Sequence, residues 1–303
     1  MPDSDVAMSR LRDVVAGAHA ERRAVIVPGA TDTITARVIE ELGFEAIYVT
    51  GAGLSNSRFG YPDVGLITMT EMVDQVAAMA EGVSLPLIVD ADTGFGNPVN
   101  VQRTVRLLER AGAAGIQIED QMAPKRCGHF EGKEVVPAEE MVQKIRAAVD
   151  ARRQDTMIIA RTDAAAVLGM GEALDRAMQY LEAGADVLFV EAPTSHHDLA
   201  AIPLAVPGLH VANMVEGGKT PIVAQSDLAA MGFTLVLYAN SAMRASVHAV
   251  REVLGHLRVA GSTEMVADRL ITWHDRQSLV RKQEFEDLEA RYLAIERNGN
   301  VLD

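Results

Sequence analysis

Cysteine is almost absent from this chain: Cys127 is the only one in 303 residues. A lone cysteine excludes an intramolecular disulfide framework and fits a reducing compartment. Aromatic residues are scarce, with seven Phe, five Tyr and one Trp. The interior therefore falls to Ala, Val, Leu, Gly and Met, a composition suited to buried parallel strands. Positive charge is in deficit: 28 Lys and Arg against 42 Asp and Glu leave a net charge of −14. With no basic cluster, nucleic-acid binding is excluded as the expected role. No apolar run approaches the length of a membrane span, and the opening MPDSDVAMSRLRD has no signal-like apolar centre. The expectation is a cytoplasmic protein with no membrane partner.

What is present is abundant apolar sequence, 49% of residues, enough for one large α/β domain. Short β-rich runs begin near Ala24, Ala46, Leu87, Gly115, Met157, Val187, His210 and Leu235. Amphipathic stretches such as VQRTVRLLERAG and AEEMVQKIRAAVDAR lie between them, and Gly43, Gly112 and Gly184 stand where helices should end. Eight βα repeats predict a (β/α)8 TIM barrel over residues 1–260, followed by a charged, helical C-terminal extension over 261–303.

Polar residues gather at the C-terminal ends of these strands, where barrel enzymes place their chemistry. Asp90, Asp92 and Glu119 form an acidic cluster on adjacent strands; carboxylates so crowded call for a hard cation, Mg²⁺ or alternatively Mn²⁺. Arg161, Asp163, Glu191 and Asn213 end the next strands, though Arg161 could simply pair with Asp163. The segment PKRCGHFEGKEVV, from Pro124, is polar and charged and reads as a lid over the barrel mouth. Lys125, Arg126 and His129 beside Cys127 favour thiolate character and an anionic substrate. The adjacent His196 and His197 read as solvent-facing loop residues, and Trp273 with His274 as packing at a subunit interface or on the barrel.

TGAGLSNSRFGYPD from Thr50, DADTGFG from Asp90, QIEDQ from Gln117, KRCGH from Lys125, ARTDA around Arg161 and NMVEGGKTP from Asn213 together resemble the isocitrate lyase and phosphoenolpyruvate mutase superfamily. The KRCGH loop resembles its lyase branch, and NMVEGGKTP is closer to dimethylmalate lyase-type sequences than to methylisocitrate lyase. The resemblance implies Asp90 as the direct Mg²⁺ ligand, with Asp63, Asp92 and Glu119 holding the metal's waters. It implies Cys127 as catalytic acid, with Lys125, His129 and Arg161 also catalytic. Thr50, Gly51, Ala52, Gly128, Arg161, Glu191, Asn213 and Arg244 would bind substrate. It further implies a homo-oligomer, a dimer of dimers with C-terminal helices swapped between subunits.

The expected activity is Mg²⁺-dependent carbon–carbon cleavage of a substituted malate, a dicarboxylate or tricarboxylate, to a 2-oxoacid and a carboxylate. Alternatives are oxaloacetate hydrolysis or decarboxylation and phosphonomutase chemistry in the same barrel, or a catalytically silent metabolite-binding barrel.

Overall fold

A computed structural model describes residues 4–126, 128 and 132–297, so Cys127 and His129 lie outside the described residues. Eight parallel strands pair in chain order: β1 (Val25–Ala30), β2 (Ile47–Val49), β3 (Leu87–Asp90), β4 (Ala113–Glu119), β5 (Met157–Thr162), β6 (Val187–Val190), β7 (Leu209–Asn213) and β8 (Leu235–Tyr238). β8 returns to β1, with Val25 beside Leu235, and closes the barrel. All eight expected strands are present.

Side chains alternate across each strand, so one set points into the barrel and the other toward the surrounding helices. In β5, Met157 and Ile159 belong to the inner core, whereas Ile158 and Ala160 pack in the outer one. The same alternation places Tyr48, Ile88, Phe189, Val211 and Leu237 inward. Continued by two residues, five of these inward rows arrive at a polar group: Tyr48 leads to Thr50, Ile88 to Asp90, Ile159 to Arg161, Phe189 to Glu191 and Val211 to Asn213, whereas Leu237 leads to Ala239. In β4, Ile116 and Ile118 face outward, which turns Gln117 and Glu119 inward. The polar ring is thus the last layer of the barrel filling.

The opposite end is closed by the helix Ser4–Ala20, whose Leu11, Val15 and Ala18 share one helical face. All three are fully buried in the inner core with the strand-starting residues Val25, Ala46, Met157, Val187 and Leu235. The outer helices are set by ordinary capping chemistry. Thr68 and Glu71 form a reciprocal capping box for Met69–Gly82. Asn97 caps Pro98–Ala111, which Gly112 ends in a left-handed conformation.

By internal contacts the chain divides into two compact units, 1–244 and 245–303, the division falling inside the helix Ser241–Ala260. The second unit is helical, as expected of the extension, with Trp273–Leu279 and Lys282–Arg297 following a 3-10 turn at Glu264–Arg269. Within it, Arg269 pairs with Glu252, and the Arg276 guanidinium lies 4.0 Å from the centre of the Trp273 ring. Among the described residues no helix is long and apolar enough to cross a membrane.

Candidate active site

Six strand ends build the site. Asp90 is 5% exposed and accepts at Oδ1 from the Asp92 amide (3.1 Å) and from Gln117 Nε2 (3.4 Å). Gln117 is itself oriented by the Tyr48 hydroxyl, which donates to its Oε1 at 2.9 Å. Asp90 Oδ2 accepts from the Gly51 amide at 3.3 Å. Thr50 makes that approach possible by capping the short helix Gly51–Leu54 directly at the end of β2. A Cβ at position 51 would sit 2.9 Å from Asp90 Oδ2, so only glycine lets the backbone come this close.

Asp92 takes a left-handed backbone, φ 47°, a conformation that aspartate tolerates better than most residues. Its Oδ1 lies 2.8 Å from Lys125 Nζ, which also reaches Asp63 Oδ1 at 2.6 Å. Lys125 is thereby placed among the carboxylates rather than in solvent, and is 6% exposed. Burial opposes its charge, but Asp92, Asp90, Glu119 and Asp63 outweigh that and hold the ammonium well above its ordinary pKa. Burial pushes the Asp92 carboxyl up to about 6, with Lys125 pulling the other way.

Glu119 and Arg161 are partners across the β4–β5 register. Their charges meet at 3.3 Å, yet neither Glu119 oxygen has a hydrogen-bond partner, and burial raises its carboxyl well above the usual range despite the opposing Arg161. Arg161 spends Nε and Nη2 on Asp163, at 2.9 and 3.1 Å, and lies 5.2 Å from the centre of the Phe189 ring. The pairing with Asp163 and the place at the mouth therefore coexist. Glu191, 1% exposed, accepts from Asn213 Nδ2 at 3.3 Å.

The expected lid leaves and re-enters the barrel through a short antiparallel bridge between Gln121 and Val135. Met122 donates to the Glu134 carbonyl and Val136 to that of Asp120. The Gln121 side chain pins the near end, donating to the Arg126 carbonyl at 2.8 Å and accepting from its amide at 2.9 Å. A segment rich in polar and charged residues is thus anchored at both ends by backbone pairing. Gly128 packs onto the site: a Cβ there would lie 2.5 Å from both Arg161 Nη2 and Glu191 Oε1.

The structure therefore brings together Thr50, Gly51, Asp63, Asp90, Asp92, Glu119, Lys125, Gly128, Arg161, Glu191 and Asn213. Ala52 follows Gly51 in the same short helix. Arg244 is set apart, half-exposed, with Nη1 donating to the Glu216 carbonyl and lying 3.2 Å from its carboxylate. Cys127 and His129 fall outside the described residues. His196 and His197 are exposed, as expected, but open the helix His196–Ala205 rather than lying in a loop. Sequence reasoning missed Lys133, Gln117 and Tyr48 as site groups; only the inward parity of β2 and β4 pointed to the last two.

The donor set fits a hard cation on two observations. Glu119 has two buried oxygens without hydrogen-bond partners, and Lys125 is drawn between Asp63 and Asp92, where positive charge is wanted. Among the described residues no three His, Cys, Asp or Glu side chains converge tightly enough to ligate one ion together.

Residues 16–258 match the family model described as phosphoenolpyruvate phosphomutase. The chain is 46% identical to 2,3-dimethylmalate lyase of Eubacterium barkeri over 272 residues, 89% of this chain and 94% of that one. It is 43% identical to 2-methylisocitrate lyase of Aeropyrum pernix over 270 residues, 89% and 87% of the two chains. Among solved structures, oxaloacetate acetylhydrolase with 3,3-difluorooxalacetate superposes with a TM-score of 0.90 at 34% identity, covering 96% of this chain and 98% of that one. Phosphonopyruvate hydrolase, solved with oxalate and Mg²⁺, gives 0.83 at 34% identity over 93% and 98%. With its closed eight-stranded barrel and this ring of strand-end residues, the chain belongs to the phosphoenolpyruvate phosphomutase family, within the superfamily that includes isocitrate lyase.

Proposed function

We propose that this chain is a Mg²⁺-dependent carbon–carbon lyase that cleaves a substituted malate of the 2,3-dimethylmalate type to a 2-oxoacid and a carboxylate. The observation that carries the reading is the inward ring itself: Asp90, Asp92 and Glu119 beside Arg161 and Glu191, with Gly128 backed onto the last two. The similarity to 2,3-dimethylmalate lyase supports the substrate class, and the NMVEGGKTP segment favours it over a methylisocitrate.

Asp90 would hold the cation directly, with Asp63, Asp92 and Glu119 acting through its waters. Bound there, Mg²⁺ supplies Lewis acidity that lowers the pKa of the substrate's 2-hydroxyl and stabilises the carbonyl replacing it. Thr50, Gly51 and Ala52 receive the 2-oxoacid end through backbone groups. The hydroxyl proton passes to a carboxylate of the ring, Glu191 being the one beside Arg161 and Gly128, and the C2–C3 bond breaks, its electron pair staying on C3 as a carboxylate enediolate. Arg161, with Asn213 orienting the substrate carboxylate and Glu191 facing the substrate hydroxyl, stabilises that charge in a site buried from water. Cys127 gives its thiol proton to C3, with His129 and Gly128 closing on the substrate. Lys125 balances Asp63 and Asp92, and Arg244 serves as an outer carboxylate contact.

A second reading, hydrolysis of oxaloacetate to oxalate and acetate, is favoured by the similarity to oxaloacetate acetylhydrolase. The deciding experiment measures 2-oxoacid release from 2,3-dimethylmalate, 2-methylisocitrate, isocitrate and citramalate, and oxalate release from oxaloacetate. Each is run with EDTA and with Mg²⁺ or Mn²⁺ restored. Mg²⁺-dependent pyruvate from 2,3-dimethylmalate is expected; oxalate alone makes the protein a hydrolase, and full turnover in EDTA removes the metal. We also propose a cytoplasmic enzyme assembled as a homo-oligomer, a dimer of dimers swapping its 261–303 extensions, which a mass measurement in solution tests.

A further inference from the structure

Four residues in the turn that follows β3 hold a left-handed backbone: Asp92 at φ 47°, Gly94 at 85°, Phe95 at 58° and Gly96 at 141°. Glycine takes that conformation freely, whereas aspartate and above all phenylalanine are strained in it. Such a backbone persists only where its surroundings over-determine it, and it collects at functional sites. Within the turn, the Asp92 carbonyl accepts from the Glu119 amide at 2.9 Å and the Gly94 amide donates to the Ala91 carbonyl at 2.8 Å. The next two carbonyls are held by side chains of the outer helices. Thr104, fully buried in the helix Pro98–Ala111, donates its hydroxyl to the Gly94 carbonyl at 3.1 Å. Lys144, in the helix Ala138–Ala151, donates to the Thr93 carbonyl at 3.3 Å.

We infer that Thr104 and Lys144 are positioning residues: two clamps on the outer helices that keep this turn in its strained form, and so keep the Asp92 carboxylate at the barrel mouth, where it meets Lys125 at 2.8 Å. Both grip carbonyls one and two residues beyond Asp92. The peptide planes that follow Asp92 therefore cannot rotate to relieve its backbone without breaking a buried hydrogen bond. The turn is also pressed against the first helix, since a Cβ on Gly94 would lie 2.5 Å from Val101 Cγ2. Lys144 is turned inward although an outward partner is at hand: Glu140, 45% exposed, lies 3.4 Å away on the same helix, yet the lysine side chain is only 5% exposed. Its inward partner is a backbone carbonyl, which carries no charge to neutralise, so charge balance alone does not account for the burial.

The inference rests on the metal reading of the site only for its binding consequence, and the two fail separately. Mn²⁺ affinity of the intact protein, read from the paramagnetic resonance signal of the free ion, needs neither substrate nor turnover. Thr104→Val replaces the hydroxyl by a methyl and should weaken Mn²⁺ binding on the order of tenfold, the scale of losing a group that orients a metal site's carboxylate. Thr104→Ser keeps the donor and should restore most of that affinity. Lys144→Met should weaken the ion in the same direction, and Lys144→Arg less. Leu11→Ala is the control: it loosens the opposite end of the barrel and lowers Tm, and should leave Mn²⁺ affinity unchanged. A folded Thr104→Val that binds Mn²⁺ as wild type does, or a Leu11→Ala that binds it as weakly as Thr104→Val, overturns the clamp. Should Thr104→Val not fold, Lys144→Met is judged by the same two outcomes. A crystal structure of the folded variant gives a readout independent of any metal: Asp92 is expected to leave the left-handed region or to part from Lys125, and an Asp92 that superposes on wild type overturns the clamp. If wild type itself binds no Mn²⁺, the metal reading falls and the crystal structure decides the clamp.

Discussion

Asp163 carries two cations on one buried carboxylate, and its amide is fixed in turn by Asp120 Oδ1 at 2.9 Å. Burial alone would raise its carboxyl, but Arg161 and Lys133 outweigh burial and hold it below the usual range. A carboxyl depressed in the folded state stabilises the fold above its unfolded pKa and loses that contribution as pH falls through the folded value. Asp163→Asn should therefore lower Tm most near neutral pH, and the gap to wild type should close only below the ordinary aspartate pKa of about 3.9. A gap independent of pH would assign the loss to packing instead. At Cys127, replacement by serine should preserve the fold and Mg²⁺ binding while lowering kcat on the order of 100-fold or more, since a hydroxyl is a far weaker acid. Near-normal turnover would remove Cys127 from the chemistry. Asp90, Glu119 and Arg161 were legible because each ends an apolar run. Lys133 was not, because in a segment already rich in Lys, Arg and Glu nothing distinguishes a buried cation from a solvated one.

The strands were legible for a physical reason: a parallel strand covered on both faces has no polar side to interrupt it. In β4 all seven residues are buried, and the run stands out between helices closed by Gly112 and opened at Ala138. The helix Ser4–Ala20 was harder to see, since its sequence is mixed in charge and only Leu11, Val15 and Ala18 trace its buried face. Its contribution is to stability and not to the mouth. Leu11→Ala, which opens a cavity among strand-starting residues, should cost about 2–5 kcal/mol and lower Tm, leaving kcat and KM unchanged. A change in KM at undiminished stability would show that the two ends of the barrel communicate. The anchoring of the segment between Gln121 and Val135 was likewise hidden: their bridge depends on backbone groups, which every residue carries.

For the whole molecule, the division of labour between the ends of the barrel is written into alternation along the strands. Apolar inward layers fill the bottom and middle, and the next inward position at the top is Thr50, Asp90, Glu119, Arg161, Glu191 or Asn213. The second unit, 245–303, keeps exposed apolar positions at Val247, Val250 and Leu254 along one helix, spaced for a single stripe. In sequence these read only as amphipathic spacing.

The plug formed by Leu11, Val15 and Ala18 also dictates traffic. With its floor sealed, the barrel is a cul-de-sac, and whatever enters by the mouth must back out by it. On the proposed lyase reading the two products of such a vessel leave in a set order: the carboxylate half first, the 2-oxoacid half proposed to sit against Thr50, Gly51 and Ala52 second. Product inhibition reads that order directly. The 2-oxoacid should compete with substrate, while the carboxylate should inhibit noncompetitively; competition by both would mean the halves leave at random.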